Sequence, residues 1–345
     1  MLGLDPKAAK ATWTVAAIAG SLWLLFAARE AILVFIIATL LAYMIAPAVD
    51  FLMRRGRGRL PRWAAMVIVY ILLLAGLITS GVIVGSRIIN EAGSLAVRIP
   101  QLLADQSTQI PLPSWLELYR AQIEQMARTQ LASLADYALP VLQTAGKSVL
   151  TGLAHLLYVV LIPILSFLFL LDAEGIRASL LDVFPGHKQQ MLLDRFLEEV
   201  HILLGHYIRA LFGLAIAAFT FYALFFEITG VPYALLLASL AGVLEFIPVA
   251  GPLLGAVTAT VVASASGYPH WGWMIVFFLI YRLFQDYVVQ PYLMSSGVEV
   301  HPVAVLFGVL AGEQIAGVPG MLLSVPLMAI LRILWRLSVG GAKYE

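Results

Sequence analysis

The stretch Tyr233–Ser264, YALLLASLAGVLEFIPVAGPLLGAVTATVVAS, decides how the chain is read. Its one formal charge is Glu245, and its middle carries the breaker run FIPVAGP. As a single helix it would be about 48 Å long, too long for one bilayer crossing, yet each half is too short to span. Pro248 and Pro252 remove backbone donors, and Gly251 lets backbone approach closely. The stretch is therefore predicted to be a helix broken at Pro248–Pro252 or a re-entrant helical hairpin.

The design recurs. Pro302–Leu337 is equally apolar and is broken at AGVPG. Pro232, Ala241 and Gly242 match Pro302, Ala311 and Gly312 at a constant offset of 70. After small slips, Glu245 pairs with Glu313, and Gly251-Pro-Leu-Leu pairs with Gly320-Met-Leu-Leu. One span precedes each stretch, so a span-plus-hairpin unit is used twice. If each hairpin returns to its own side, the single crossing between them makes the units enter from opposite faces. This is the inverted-repeat logic of secondary transporters.

Composition agrees. Of 345 residues, 61% are hydrophobic and 12% charged, with mean hydropathy +0.94. A soluble domain carries about 25% charged residues, so this surface belongs in a lipid bilayer. Backbone groups in lipid must be satisfied internally, and alternating strand patterns are missing, which leaves α-helices. A net charge of +1 gives no polybasic face, arguing against a nucleic-acid partner. Cysteine is absent, which excludes disulfides, thiolate nucleophiles and cysteine-based metal sites.

Working back to the start, Lys7 and Lys10 precede an apolar run, Thr12–Ala28, and a second run, Ala31–Met53, follows at once. The first run reads as a span or signal anchor, not a removed leader. Arg54, Arg55, Arg57, Arg59 and Arg62 crowd the next short loop, which the positive-inside rule places in the cytoplasm together with both termini. A third span runs from about Trp63 to Gly85. Residues 88–147 are too polar to span; Leu116, Tyr119, Ile123, Met126, Leu131 and Leu134 recur at helical spacing, predicting an extracytoplasmic amphipathic subdomain. The fourth span, about Val149–Leu171, contains Pro163. Phe196, Val200, Leu203 and Tyr207 mark a cytoplasmic helix feeding a fifth span, about Ile208–Phe226; the sixth is about Trp271–Val289. The division is 1–87 (three spans and the Arg loop), 88–147 (outer subdomain), 148–206 (fourth span and cytoplasmic helix) and 207–345 (transport core).

Ionisable groups at membrane depth mark function by default. Glu245 and Glu313 each stand just before a helix break, where freed carbonyls and helix ends can hold an ion or polar solute. The structural alternative is a protonated carboxyl that caps a broken helix. Arg282 and Asp286 are four apart on one face of the sixth span and can pair; Gln285 lies beside them. Pro248, Gly251, Gly317 and Gly320 read as backbone devices that turn the hairpins or admit a solute.

Enzyme signatures fail. AGKS at 145–148 has Val141 where a phosphate loop needs glycine, His201 and His206 are five apart rather than four, and no G-x-S-x-G occurs. No cofactor is expected, only a transported H⁺ or Na⁺.

The runs LLAYMIAPAVD, IPILSFLFLLDAEGIR with its later FPG, GVPYALLLASLAGVLEFIPVAGPLLG, and QPYLMSSGVEVHPVAVLFGVLAGEQIAGVPGMLLSVPLMAIL resemble the autoinducer-2 exporter family of bacterial permease-like proteins. The resemblance covers nearly the whole chain and is weakest in the outer subdomain. It implies an all-α polytopic inner-membrane transporter with about eight membrane segments, including the two hairpins of the C-terminal third, and a homo-oligomer. Members are linked to export of autoinducer-2, others to sodium or lithium exchange for protons. The family's Glu-Phe-Ile-Pro and Gly-Pro elements fall on Glu245–Pro248 and Gly251–Pro252, and its Asn/Gln-rich stretch on Gln285, Asp286, Gln290 and Pro291. Where many members carry Gly-Gln after the Arg that opens the fifth span, Ala210 and Leu211 stand here, which removes a polar group.

The expectation is a secondary transporter of a small polar solute, with Glu245 binding the coupling H⁺ or Na⁺. A Na⁺(Li⁺)/H⁺ antiporter is the sister reading, and a non-transporting scaffold that binds a partner through its outer subdomain is the reading of another class.

Overall fold

The computed structural model describes residues 6–56, 60–104, 114–122, 124–126, 128–129, 132–133, 152–293 and 301–341. Arg57, Arg59, Ile123, Leu131, Leu134 and the run 145–148 lie outside them. Every regular element among the described residues is helical. In order these are α1 (Pro6–Ala27), α2 (Arg29–Arg55) and α3 (Arg62–Ser80), which passes through a π turn at Gly81–Gly85 into α4 (Ser86–Ala104). A 3₁₀ turn at Ser114–Tyr119 precedes α5 (Gly152–Leu171), α6 (Ala173–Asp182) and α7 (His187–Thr229). Then come α8 (Ala234–Leu244), α9 (Ala250–Ala265), α10 (Trp271–Phe284), a π turn at Gln285–Val289, α11 (Gln290–Leu293) and α12 (Pro302–Gly341).

Five helical stretches among the described residues are long and apolar enough to cross a membrane: Arg29–Arg55, Arg62–Ile99, His187–Thr229, Trp271–Tyr292 and Val303–Leu337. The chain is an all-α polytopic membrane protein. The cytoplasmic helix and fifth span of the sequence reading are one continuous rod, α7, whose 43 residues reach about 64 Å. Gly230 ends it in the left-handed conformation (φ 72°), with Val231 N–H returned to the Phe226 carbonyl.

The stretch after α7 is a helical hairpin. Within it, a Cβ on Gly251 would collide with the Leu244 carbonyl, and one on Gly255 would lie 3.3 Å from Ala241 Cα. The arms therefore touch backbone to backbone, which only small residues permit. α12 is a second hairpin. It breaks at Ala316 and at Gly317, whose φ of 60° and ψ of −139° suit glycine alone. Gly312 and Gly320 face each other so closely that neither has room for a side chain, and a Cβ on Gly308 would meet Met328 at 3.0 Å. Val303–Leu337 is thus two arms folded together, not a straight crossing.

The hairpins lie along α7 from opposite ends. The first starts beside Gly230, and its Gly242 packs on Ala215 and Phe219. At its tip, Phe246 meets Phe212 edge to face, with ring centroids 5.1 Å apart. The second is tied at its open end by Arg336 to Glu199, while Val325 reaches the cluster of Tyr207, Ile208 and Leu211 that Phe246 also joins. The first hairpin and the folded-back arm of the second therefore meet over the middle of α7.

The remaining helices buttress this core. Tyr70 on α3 donates to Ser166 on α5 at 2.7 Å in a buried contact. Arg62 donates to the Leu170 carbonyl at 3.2 Å, which places the start of α3 beside the end of α5. Arg177 on α6 is held against α7 by Asp194 and Glu198, each at 2.7 Å. Those two carboxylates raise the Arg177 pKa further above its ordinary value, so it stays charged.

Candidate functional site

Glu245 follows the last residue of α8 and opens the turn between the hairpin arms. An eleven-residue arm is about 16 Å long, so the carboxyl stands well inside a hydrocarbon layer of about 30 Å when measured from the hairpin base. It is buried, and its Oε2 accepts a hydrogen bond of 2.7 Å from Gln285 Nε2 across 40 residues of sequence. Gln285 owes its position to the π turn it opens, where the Gln290 N–H returns to the Gln285 carbonyl. Such wide turns recur at functional sites because they re-aim side chains. Arg282 and Asp286 pair at 3.0 Å on the more open side of the same segment.

The hairpin tip is strained. Ala250 N–H donates to the Pro248 carbonyl at 2.7 Å across Val249, whose φ of 66° and ψ of −55° define a γ-turn of the rarer hand. A β-branched residue resists positive φ, at a cost of about 1–3 kcal/mol. Such strain persists only where the surroundings fix it, here Pro248, Pro252 and the packed glycines.

A cleft of 510 Å³ opens between α9 and α10 beside this tip. Val249, Pro252, Val257, Phe278, Tyr281 and Gln285 are among its lining, which is mostly apolar. Tyr222 of α7 also lines it and meets Tyr281 edge to face at 5.1 Å. Behind them Phe225 stacks on Phe277 at 4.0 Å, giving the cleft a rigid aromatic back wall. Two cleft residues bury a polar atom that has no hydrogen-bond partner, Tyr281 Oη and Gln285 Oε1. Each such atom costs about 1–3 kcal/mol.

The fold thus gathers Glu245, Pro248, Gly251, Arg282, Gln285 and Asp286 around one hairpin tip. Glu313, Gly317 and Gly320 belong to the second hairpin; Glu313 is exposed and accepts from its neighbour Gln314 at 2.9 Å. The two glutamates matched by sequence sit in different environments. Two participants escaped the sequence reading. Tyr281 is one helical turn before Gln285, so its i, i+4 spacing was an available signal. Glu91 on α4 accepts from Leu236 N–H at 2.8 Å and caps the first turn of α8, a contact that no local pattern announces.

A broken hairpin with a buried carboxyl at its tip is a feature seen in secondary transporters, and comparison with known proteins points to the same class. The AI-2E family transporter profile matches residues 13–338. The chain belongs to this family. Among its relatives are YrrI of Bacillus subtilis (strain 168), 26% identical over 87% of this chain and 84% of that protein, and MT0215 of Mycobacterium tuberculosis (strain CDC 1551 / Oshkosh), 26% identical over 95% and 88%. YhhT of Escherichia coli (strain K12) is 24% identical over 92% and 87%. All three carry the name "Putative transport protein". As an AI-2E family member the chain is a multi-pass membrane transporter, and family and names alike point to transport, not catalysis.

Proposed function

We propose that the chain is a secondary transporter of the bacterial inner membrane that exports a small solute in exchange for H⁺ or Na⁺, with Glu245 as the cation-binding group. The observation that carries this reading is the buried Glu245–Gln285 pair at the tip of a broken hairpin, beside a cleft. A carboxyl held at depth can exist charged, or neutralised by a cation, and exchange between those states is what gradient coupling requires. The family name makes autoinducer-2 the first solute to try. The two hairpins, running in from opposite ends of α7, act as the halves of an inverted repeat, and the close backbone packing of each hairpin's own arms lets each move as one piece. The Arg54–Arg62 loop faces the cytoplasm, the open end of the second hairpin lies on that side, and the transporter works as a homo-oligomer.

The experiment is uptake of labelled autoinducer-2 into proteoliposomes with and without an imposed pH or Na⁺ gradient. Wild type is expected to respond to the gradient and Glu245→Gln to lose the response. Flux with intact coupling in that variant would remove Glu245 from the mechanism.

Simple Na⁺(Li⁺)/H⁺ exchange is the second reading, favoured by the buried Glu245–Gln285 pair, whose oxygens could hold a small cation with no larger solute present. Gradient-dependent proton movement with Na⁺ or Li⁺ alone would select it.

A further inference from the structure

We propose that an aromatic pocket at the C-terminal end of α7 is a cation–π site for an organic ammonium group, carried by a lipid headgroup or by a small solute. It stands apart from Glu245, and it depends on neither the coupling nor the direction of transport.

The pocket holds 330 Å³, at the small end of the range of about 300–1,000 Å³ usual for ligand pockets. It is lined by Phe225 and Thr229 on α7, Tyr268 and His270 in the turn after α9, and Trp273 in the first turn of α10. Four of the five are rings, none is aliphatic, and none is Lys, Arg, Asp or Glu. An acyl chain finds no Leu, Ile or Val wall here, and an anion finds no Lys or Arg. A hard metal ion finds too few oxygen ligands. Ring faces carry negative charge density, so a cation spread over several methyl or methylene groups is the species that suits them.

Packing fixes the rings. Phe225 is held by Phe277, which stacks on it 4° from parallel. Tyr268 and His270 stand 5.9 Å apart at 65°, so their planes form a corner rather than a stack. Tyr268 is 6% exposed and Trp273 is 64% exposed, which gives the pocket a deep wall and an open lip. A belt of interfacial aromatics that only faced lipid would have no such deep wall.

Backbone polarity has the matching sign. α7 ends at Thr229, and α9 ends just before Tyr268, whose N–H returns to the Ala263 carbonyl. Two negative helix ends thus meet the positive start of α10, where the Trp273 N–H is already taken by the His270 carbonyl. The balance is about half a negative charge. Thr229 spends its hydroxyl proton on the Phe225 carbonyl at 2.6 Å, so towards a ligand it can only accept. Trp271 opens the span Trp271–Tyr292, which places the pocket at the membrane–water boundary, in reach of headgroups and of soluble amines alike.

The test is fluorine NMR of the full chain carrying fluorotryptophan, in phosphatidylglycerol nanodiscs, whose headgroups hold no ammonium. The Trp273 signal is assigned by its loss in Trp273→Phe. Choline and its uncharged tert-butyl analogue, which has the same shape, are titrated separately. Choline is expected to move the Trp273 signal saturably and to bind about tenfold more tightly than the analogue, the gain a desolvated cation makes on ring faces. Tyr268→Phe keeps the ring and should bind as wild type does, whereas Tyr268→Leu should bind choline about tenfold more weakly. A second set of nanodiscs replaces half the lipid with phosphatidylethanolamine and separates the two sources. A Trp273 signal already moved there, and moved less by Tyr268→Leu, makes the headgroup the occupant. A signal left in place, with choline binding intact, makes the occupant a soluble ammonium. Equal affinity for choline and its analogue would reduce the pocket to an apolar slot and overturn the proposal. So would a Trp273 signal that answers neither to choline nor to the headgroup, or a response unchanged in Tyr268→Leu when the other tryptophan signals show that the variant is folded.

Discussion

Gln285 Nε2 lies 2.7 Å from Glu245 Oε2, joining the wide turn after α10 to the tip of the first hairpin. The bond holds two irregular pieces of backbone, a γ-turn and a π turn, in one register. Removing one partner leaves the other buried and unpaired, so Gln285→Ala should destabilise the protein by about 1–3 kcal/mol. A double-mutant cycle with Glu245→Ala should return a coupling of about 0.5–3 kcal/mol in reversible unfolding in detergent micelles. A coupling near zero would mean that the two side chains are neighbours without being partners.

The strained turn makes a prediction of opposite sign. Glycine adopts positive φ freely, so Val249→Gly should relieve the tip and raise stability by up to about 1 kcal/mol despite the lost side chain. Thermal unfolding followed by circular dichroism is the measurement. A clear loss of stability would show that Val249 contributes more by packing than its backbone gives away.

Glycine contacts separate the hairpin positions from bystanders. Gly251→Ala puts a methyl group into the Leu244 carbonyl and should cost about 1–3 kcal/mol or prevent hairpin closure. Gly76→Ala, whose new Cβ meets nothing within 4 Å, should be neutral or slightly stabilising. Comparing the yield and melting of the two variants checks the hairpin assignment directly. Equal behaviour would mean that the arms are not in contact.

The buttress between α3 and α5 is testable on its own. Tyr70→Phe leaves Ser166 buried without its donor and should cost about 1–2 kcal/mol. Tyr70→Phe with Ser166→Ala should recover part of that loss, since two apolar groups of matched shape need no bond. Unfolding of the double variant below that of the single would refute the pairing.

Much of this was legible from residues alone. Helices in lipid follow from composition, and both hairpins followed from Pro248, Pro252, Gly317 and Pro319 interrupting runs too long to cross once. Glu245 stood out because a lone charge in a 32-residue apolar stretch has few bland explanations. What stayed hidden was long-range. Arg282 and Asp286 could be paired from their spacing, but the partner of Gln285 lies 40 residues away, and spacing within one helix is blind to that. The sequence match pairs Glu245 with Glu313, but the fold buries the first against Gln285 and leaves the second exposed beside its own neighbour Gln314. The junction at Tyr207–Ile208 looked like a boundary because polarity changes there. It is seamless because no residue in it resists helical torsions, and composition along a helix says nothing about where the helix stops.

The rod α7 has a consequence outside the bilayer. At about 64 Å it is roughly twice as long as the hydrocarbon layer is thick, and the overhanging half is gripped by Arg177 from one side and Arg336 from another. The first hairpin packs on the other half, while the second ties its open end to the overhang at Glu199. One unbroken helix thus joins the ion pairs of the overhang to the packing surface of the first hairpin, so the two ends of the molecule share a single rigid support.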